Sequence, residues 1–149
     1  MPKIDQGDLI WGLPHLFVKT FREITIKKSY DKGQIVFREG EKADFFYTLI
    51  QGSVALSIGE TGQEVYIVDQ AGEVFGWSSL MDRTHYSASA ECLEPTNLLL
   101  IEKEKLERIL NSDPANGMVF YRNLSQTLGN RLLKSYKIIS EARRLEEQY

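Results

Sequence analysis

A short segment in the middle of the chain combines polar and aromatic side chains that suit the binding of a small molecule. The segment spans residues 76–87 and contributes Gly76, Trp77, Ser78, Ser79, Arg83, Thr84, His85, Tyr86 and Ser87. Its hydroxyls can hydrogen-bond a polar ligand, its arginine can pair with an anion, and its rings can stack on a flat ligand. Hydroxyls also close short helices, and aromatic rings also fill pockets, so both interpretations stay open.

Residue combinations typical of catalytic centres are missing from the sequence. The two histidines, His15 and His85, lie far apart, and Cys92 is the single cysteine. Metal enzymes need clustered ligands, and covalent catalysis needs a nucleophile within a recognisable constellation. We therefore expect no enzymatic activity, no metal site and no resident cofactor.

Composition and charge predict one soluble globular domain over residues 1–149. The chain has 42% hydrophobic and 26% charged residues, with a net charge of -3 that gives little attraction to nucleic acid. Residues 1–11 resemble neither a signal peptide nor a membrane span. One cysteine cannot form a disulfide within a chain. We therefore expect a cytoplasmic protein that binds neither membrane nor DNA directly.

The hydrophobic pattern divides the chain into three parts that must position the segment. Residues 1–23 form a helical lead-in interrupted near Pro14. Residues 24–102 contain short runs of valine, isoleucine, phenylalanine and tyrosine between glycine-containing turns, and the run 53–58 alternates polar with apolar residues. These runs predict about eight strands in an antiparallel barrel or jelly roll, a mainly β fold with added helices.

Residues 103–149 have helical patterning. A helix over 103–110 is followed by Asp113 and Pro114, which suit the N-cap and first position of a longer helix over about 115–147. At 1.5 Å per residue, a helix of about 30 residues spans about 45 Å, more than a small domain can cover. We therefore expect a homodimer through this helix, with a solvated tail as the alternative; the expected contact residues are Tyr121, Leu128, Leu132 and Ile139.

The element order and several short motifs resemble the cyclic nucleotide-binding domain family, especially the sensor domain of catabolite activator protein and FNR-type regulators. The motifs are Gly33, residues 40–43, Tyr47, residues 51–54 and residues 71–76. The resemblance implies a double-stranded β-helix. It also implies a phosphate-binding cassette after Gly76, in which helix amides and an arginine hold the cyclic phosphate and a glutamate holds the ribose.

The sequence departs from that cassette at both charged positions. Trp77 stands where the ribose glutamate belongs, and Thr84 stands where the arginine belongs, with Arg83 one place out of register. Glu73 matches an acid of the preceding turn, where the resemblance implies a structural role. Charge-assisted hydrogen bonds are the strong ones, so we predict that cyclic AMP and cyclic GMP bind weakly or not at all.

Two functions follow as expectations. One is a stand-alone sensor that binds a non-standard ligand, a cyclic nucleotide in an unusual mode or another small anion, and signals through the dimerising helix. The other is a ligand-free interaction scaffold in which Trp77 fills the pocket. FNR-type regulators carry a helix-turn-helix after the long helix, and the sequence ends at Tyr149.

Overall fold

Helices flank eight strands in the part of the chain that the computed structural model describes, residues 9–80 and 84–147. The strands are short because a glycine at positive φ turns the chain after many of them. In chain order the elements are α1 His15–Glu23, β1 Thr25–Tyr30, β2 Ile35–Phe37, β3 Phe45–Gln51, β4 Val54–Ile58, β5 Gln63–Val68, β6 Val74–Phe75, a 3-10 helix Trp77–Leu80, β7 Ser89–Cys92, β8 Thr96–Glu102, α2 Lys103–Ser112 and α3 Pro114–Glu147.

The strands form two four-stranded antiparallel sheets. One sheet has the order β1-β8-β3-β6 and the other β2-β7-β4-β5. In β4 the consecutive residues Val54, Ala55 and Leu56 are all buried, in place of the alternation expected from the sequence, because β4 pairs with both β5 and β7. Two facing antiparallel sheets confirm the predicted eight-stranded jelly roll.

The space between the two sheets is filled by aromatic and aliphatic side chains. The Phe37 ring stacks on Tyr86 with centroids 3.8 Å apart, and the Tyr47 ring stacks on Phe75 at 5.1 Å. Tyr86 also donates a hydrogen bond from its hydroxyl to the Phe45 carbonyl at 2.8 Å. The ring of Tyr86 is therefore a core side chain.

A second core attaches the helices to the barrel. Phe21 of α1 and Phe120 of α3 contact each other with ring centroids 5.7 Å apart and are fully buried together with Phe46 of β3. The Asn123 amide donates 2.9 Å hydrogen bonds to the carbonyls of Leu9 and Trp11, which holds the lead-in against α3. The helical part is thus integral to the domain.

The long helix α3 begins as predicted and divides into two halves. Asp113 accepts a hydrogen bond from the Asn116 amide at 3.3 Å, which is an N-cap contact. The first half buries Phe120 and Leu124, whereas the second half carries exposed apolar residues such as Leu132 and Leu133. Within the described residues, no helix combines the length and hydropathy needed to span a membrane.

Candidate functional site

The segment 76–87 begins with a tight turn that only glycine fits. Gly76 has φ +72°, and a Cβ there would lie 2.8 Å from Cδ2 of Tyr47. The chain then enters the 3-10 helix, where the Ser79 hydroxyl donates to the Gly76 carbonyl at 2.9 Å. Ser79 therefore closes this helix and is buried, as expected of a hydroxyl used for local structure.

A cavity of about 640 Å³ lies between this segment, the β4–β5 hairpin and the second half of α3. We call it the α3 cavity. From the segment it is lined by Gly76, Trp77, Ser78 and Ser87, four of the residues selected from the sequence. The hydroxyl oxygens of Ser78 and Ser87 lie 3.2 Å apart, within hydrogen-bond distance. Its volume falls within the range of small-molecule sites.

Of the other residues selected from the sequence, the ones that the structure describes do not line the α3 cavity. Tyr86 points into the core, so its expected role in stacking on a ligand is wrong. Thr84 and His85 are exposed and contact each other, Thr84 Oγ1 to His85 Nδ1 at 2.7 Å. Ser79 is occupied with the helix turn, and Arg83 lies outside the described residues.

Trp77 forms one wall of the α3 cavity and leaves its volume open. The indole is half-buried and packs against the second core, alongside Leu80 and Leu128. The expectation that Trp77 fills the pocket therefore fails, because its ring packs toward the helices. The described part of the segment 76–87 contributes no carboxylate to the cavity lining. Among the described lining residues, the one carboxylate is that of the exposed Glu64 of β5.

Arg131 of α3 is the cavity residue that the sequence analysis missed. Its Nη2 donates a hydrogen bond to the Val74 carbonyl, and its guanidinium carbon lies 4.8 Å from the centroid of the Tyr66 ring. Its Nη1 is buried and has no hydrogen-bond partner in the structure. Burial lowers the pKa of Arg131, and the nearby Tyr66 and Glu73 partly offset that effect.

The spacing of residues along α3 gave only a weak signal that Arg131 lines the cavity. Arg131 and Ser135, then the adjacent Ile138 and Ile139, then Ala142 recur three or four residues apart, and all line the cavity. The sequence shows that these side chains share one face of α3. It does not show that the face covers the barrel of the same chain.

Glu73 has the structural role that was predicted for it. Its carboxylate accepts hydrogen bonds from the Tyr66 hydroxyl at 2.7 Å and from the amides of Asp69 and Gln70 at 3.1 and 2.9 Å. Lys134 Nζ of α3 lies 3.6 Å away. Burial opposes ionisation, but these partners outweigh it and lower the pKa of Glu73. Burial and the bond to Glu73 raise the pKa of Tyr66 to about 12.

The described lining of the α3 cavity has the features of a small-molecule binding site. Its lining is mostly apolar; the polar groups are the hydroxyls of three serines, the exposed side chains of Gln63 and Glu64, the Tyr66 hydroxyl and the Arg131 guanidinium. Among the described residues, no group of three histidine, cysteine, aspartate or glutamate side chains is close enough to hold a metal ion. The arrangement suits reversible binding of a small amphiphilic molecule.

Solved structures with the same fold include ligand-sensing and regulatory proteins. A cyclic nucleotide-binding domain from Methylobacillus flagellatus KT superposes with a TM-score of 0.76 at 23% identity, covering 87% of this chain and 74% of the other, which shows the fold alone. The sensor domain of the transcriptional regulator DNR from Pseudomonas aeruginosa gives 0.67 at 26% identity, covering 85% of this chain and 86% of that one.

Sequence comparison gives matches over part of the chain. A cGMP-dependent protein kinase from Eimeria tenella is 34% identical over 87 residues, which is 58% of this chain and only 8% of the kinase. The chain thus matches a small part of that relative, so the kinase's activity is not transferred to it. The family model for the cyclic nucleotide-binding domain matches residues 27–113, more than half of the chain. This chain therefore belongs to the cyclic nucleotide-binding domain family.

Proposed function

We propose that this chain is a sensor module that binds a small molecule in the α3 cavity and transmits its presence through α3. The family membership and the similarity to a regulator's sensor domain support a regulatory role. The observation that carries the proposal is that one cavity is lined by both the family's ligand segment and α3. A ligand there contacts the element that leads out of the barrel, so it favours one position of α3 over another.

The ligand we propose is bound differently from cyclic AMP or cyclic GMP in the family's usual mode. Trp77 cannot accept the ribose hydrogen bonds, and Thr84 carries no charge to pair with phosphate. Each lost charge-assisted contact costs about 2 kcal/mol, and two such losses reduce affinity by roughly a thousandfold. Any cyclic nucleotide that binds therefore needs other contacts.

The output we propose is a changed geometry of a homodimer formed through the second half of α3. Leu132 is 52% exposed and Tyr136 56%, so apolar area is available to a second copy. Three of the four residues predicted for this contact have intramolecular neighbours: Tyr121 packs edge-on against Phe120, Leu128 packs on the second core, and Ile139 lines the cavity. The proposed contact therefore centres on Leu132 and Tyr136.

A ligand-free scaffold is the second candidate, because the exposed apolar residues of α3 suit a protein partner even without a ligand. A thermal-shift screen separates the two candidates. It uses cyclic mononucleotides, cyclic dinucleotides, nucleotides and small organic acids. A ligand at 100 times its dissociation constant adds about 2.7 kcal/mol, which raises the melting temperature by roughly 5 to 10 °C. No shift from any compound supports the scaffold.

Movement of α3 is tested with spin labels after a ligand has been found. One label replaces Tyr136 and the other replaces Glu60 in the exposed β4–β5 turn, both in a Cys92→Ala background. The control pair, Glu60 with Lys32, lies entirely on the barrel. We expect the ligand to change the Tyr136–Glu60 distance and leave the control distance constant. An unchanged Tyr136–Glu60 distance rejects transmission through α3.

A further inference from the structure

We propose that the ligand of the α3 cavity is an apolar or aromatic monocarboxylate whose carboxylate binds Arg131. The inference rests on the proposed function, because it specifies the ligand class for the same cavity. It follows from two properties of the lining, a mostly apolar surface and one buried cation with an unused hydrogen-bond donor.

The apolar part of the lining comes from both sides of the cavity. Leu56 and Val65 contribute from the β4–β5 hairpin, and Ile138 and Ala142 contribute from α3. Trp77 contributes from the segment 76–87. Apolar surface removed from water by a ligand is the main source of affinity in such a site. A sugar phosphate would leave these side chains without matching partners, whereas an alkyl chain or aromatic ring would cover them.

The cation is Arg131, and its hydrogen bonds are incomplete. Nη2 contacts the Val74 carbonyl, and the guanidinium lies against the Tyr66 ring and interacts with the Tyr66 hydroxyl, but Nη1 is buried without an acceptor. A buried donor without a partner is costly, and a carboxylate oxygen supplies both the missing acceptor and the opposite charge. Because Nη1 is buried, we expect the guanidinium to rotate toward the cavity when the ligand binds.

The neighbouring charges leave Arg131 available for such a ligand. Glu73 contributes to the charge balance at Arg131, but its oxygens already accept from Tyr66 and two backbone amides and face Lys134. Glu64 lines the cavity but is exposed, so solvent screens it. The serine hydroxyls of Ser78 and Ser87 are neutral donors at another part of the wall. One negative charge on the ligand therefore matches the cavity.

Calorimetry with matched acid and amide pairs tests the inference on the full chain. The probes are octanoate with octanamide and indole-3-acetate with indole-3-acetamide. Each pair keeps the apolar part and removes the charge. We expect at least one acid to bind saturably. Its amide should bind with an affinity at least about tenfold lower, equivalent to about 1.4 kcal/mol. Equal affinity of acid and amide, or no binding by either acid, overturns the inference.

Variants assign the charge preference to Arg131. In Arg131→Gln we expect the acid to lose its advantage over the amide, whereas Arg122→Gln, an exposed arginine on the same helix, keeps it. A preserved acid preference in Arg131→Gln overturns the assignment. Because that variant also loses the Val74 contact, Ala142→Trp is measured in parallel: its indole occupies cavity volume and should abolish binding of acid and amide alike. Unchanged acid binding in Ala142→Trp places the ligand elsewhere and also overturns the inference.

The two proposals fail in different ways. Binding of a cyclic dinucleotide without binding of either acid overturns the monocarboxylate inference and leaves the sensor role intact. A chain that binds the acids but shows no change in the Tyr136–Glu60 distance retains the ligand class and loses the sensor role.

Discussion

Replacing Glu73 by glutamine tests whether the turn before the ligand segment depends on a buried carboxylate. The Glu73 side chain is 14% exposed, one oxygen accepts from Tyr66 and faces Lys134, and the other accepts from the amides of Asp69 and Gln70. Glutamine keeps one acceptor oxygen and places an NH₂ group where the second was. Either the two amides or the Tyr66 hydroxyl then faces a donor.

The expected cost follows from those contacts. A buried donor left without its acceptor costs about 1–3 kcal/mol, so we expect Glu73→Gln to lower the free energy of unfolding by about 1–3 kcal/mol. For a domain of this length that corresponds to a fall in melting temperature of roughly 2–12 °C. Urea unfolding gives the free energy directly. The matched control is Glu60→Gln in the exposed β4–β5 turn, for which we expect a change within about 0.5 kcal/mol.

The pH dependence gives a second test of the same carboxylate. Because the folded protein lowers the pKa of Glu73, the charge stabilises the fold above the ordinary carboxyl pKa. That stabilisation is lost as the pH falls from the ordinary value through the folded one. The difference between wild type and Glu73→Gln should therefore be constant near neutrality and shrink in acid. A difference below about 0.5 kcal/mol at neutral pH, or one that does not change in acid, refutes the reasoning.

Three further predictions concern the ligand segment and α3. Gly76→Ala should lower the free energy of unfolding in urea by roughly 1–3 kcal/mol, because the added Cβ meets Tyr47. The loss should exceed that of Gly62→Ala, where φ is similar but the space is open; equal losses would show that the contact is harmless. Leu132→Glu should convert a dimer to a monomer in analytical ultracentrifugation at tens of micromolar, whereas Gln126→Glu should not; a monomeric wild type would contradict the α3 contact. Calorimetry should detect no micromolar binding of cyclic AMP or cyclic GMP, and a saturable micromolar isotherm would refute that expectation.

The barrel was predictable because its determinants are local. Short apolar runs such as β4 form buried strands, and glycines at turns permit the positive φ that reverses the chain. The start of α3 was also predictable from a local interaction, since the Asp113 carboxylate caps the backbone amide of a residue three positions later. The resemblance to the family placed Trp77 at the position of the expected carboxylate and implied a structural role for Glu73, whose carboxylate accepts a hydrogen bond from the Gln70 amide.

The composition of the site was less predictable, and Tyr86 shows why. Its neighbours in sequence suggested a pocket residue, but the ring stacks on Phe37 from a distant strand. Trp77 similarly packs toward the helices and leaves the cavity open. A side chain's type and its sequence neighbours do not reveal which of two adjacent spaces it enters, because packing with distant residues decides that.

By itself, the sequence indicated the family, the jelly roll and the long helix, since each depends on residue types at short spacing. The loss of the family's usual ligand contacts stays a prediction. Only the tertiary structure decided what the faces of α3 contact. Arg131 meets the Val74 carbonyl from 57 positions away, and Ile139 lines the cavity of its own chain. Helical periodicity groups side chains on one face, but the element that covers that face is set by how the whole chain folds.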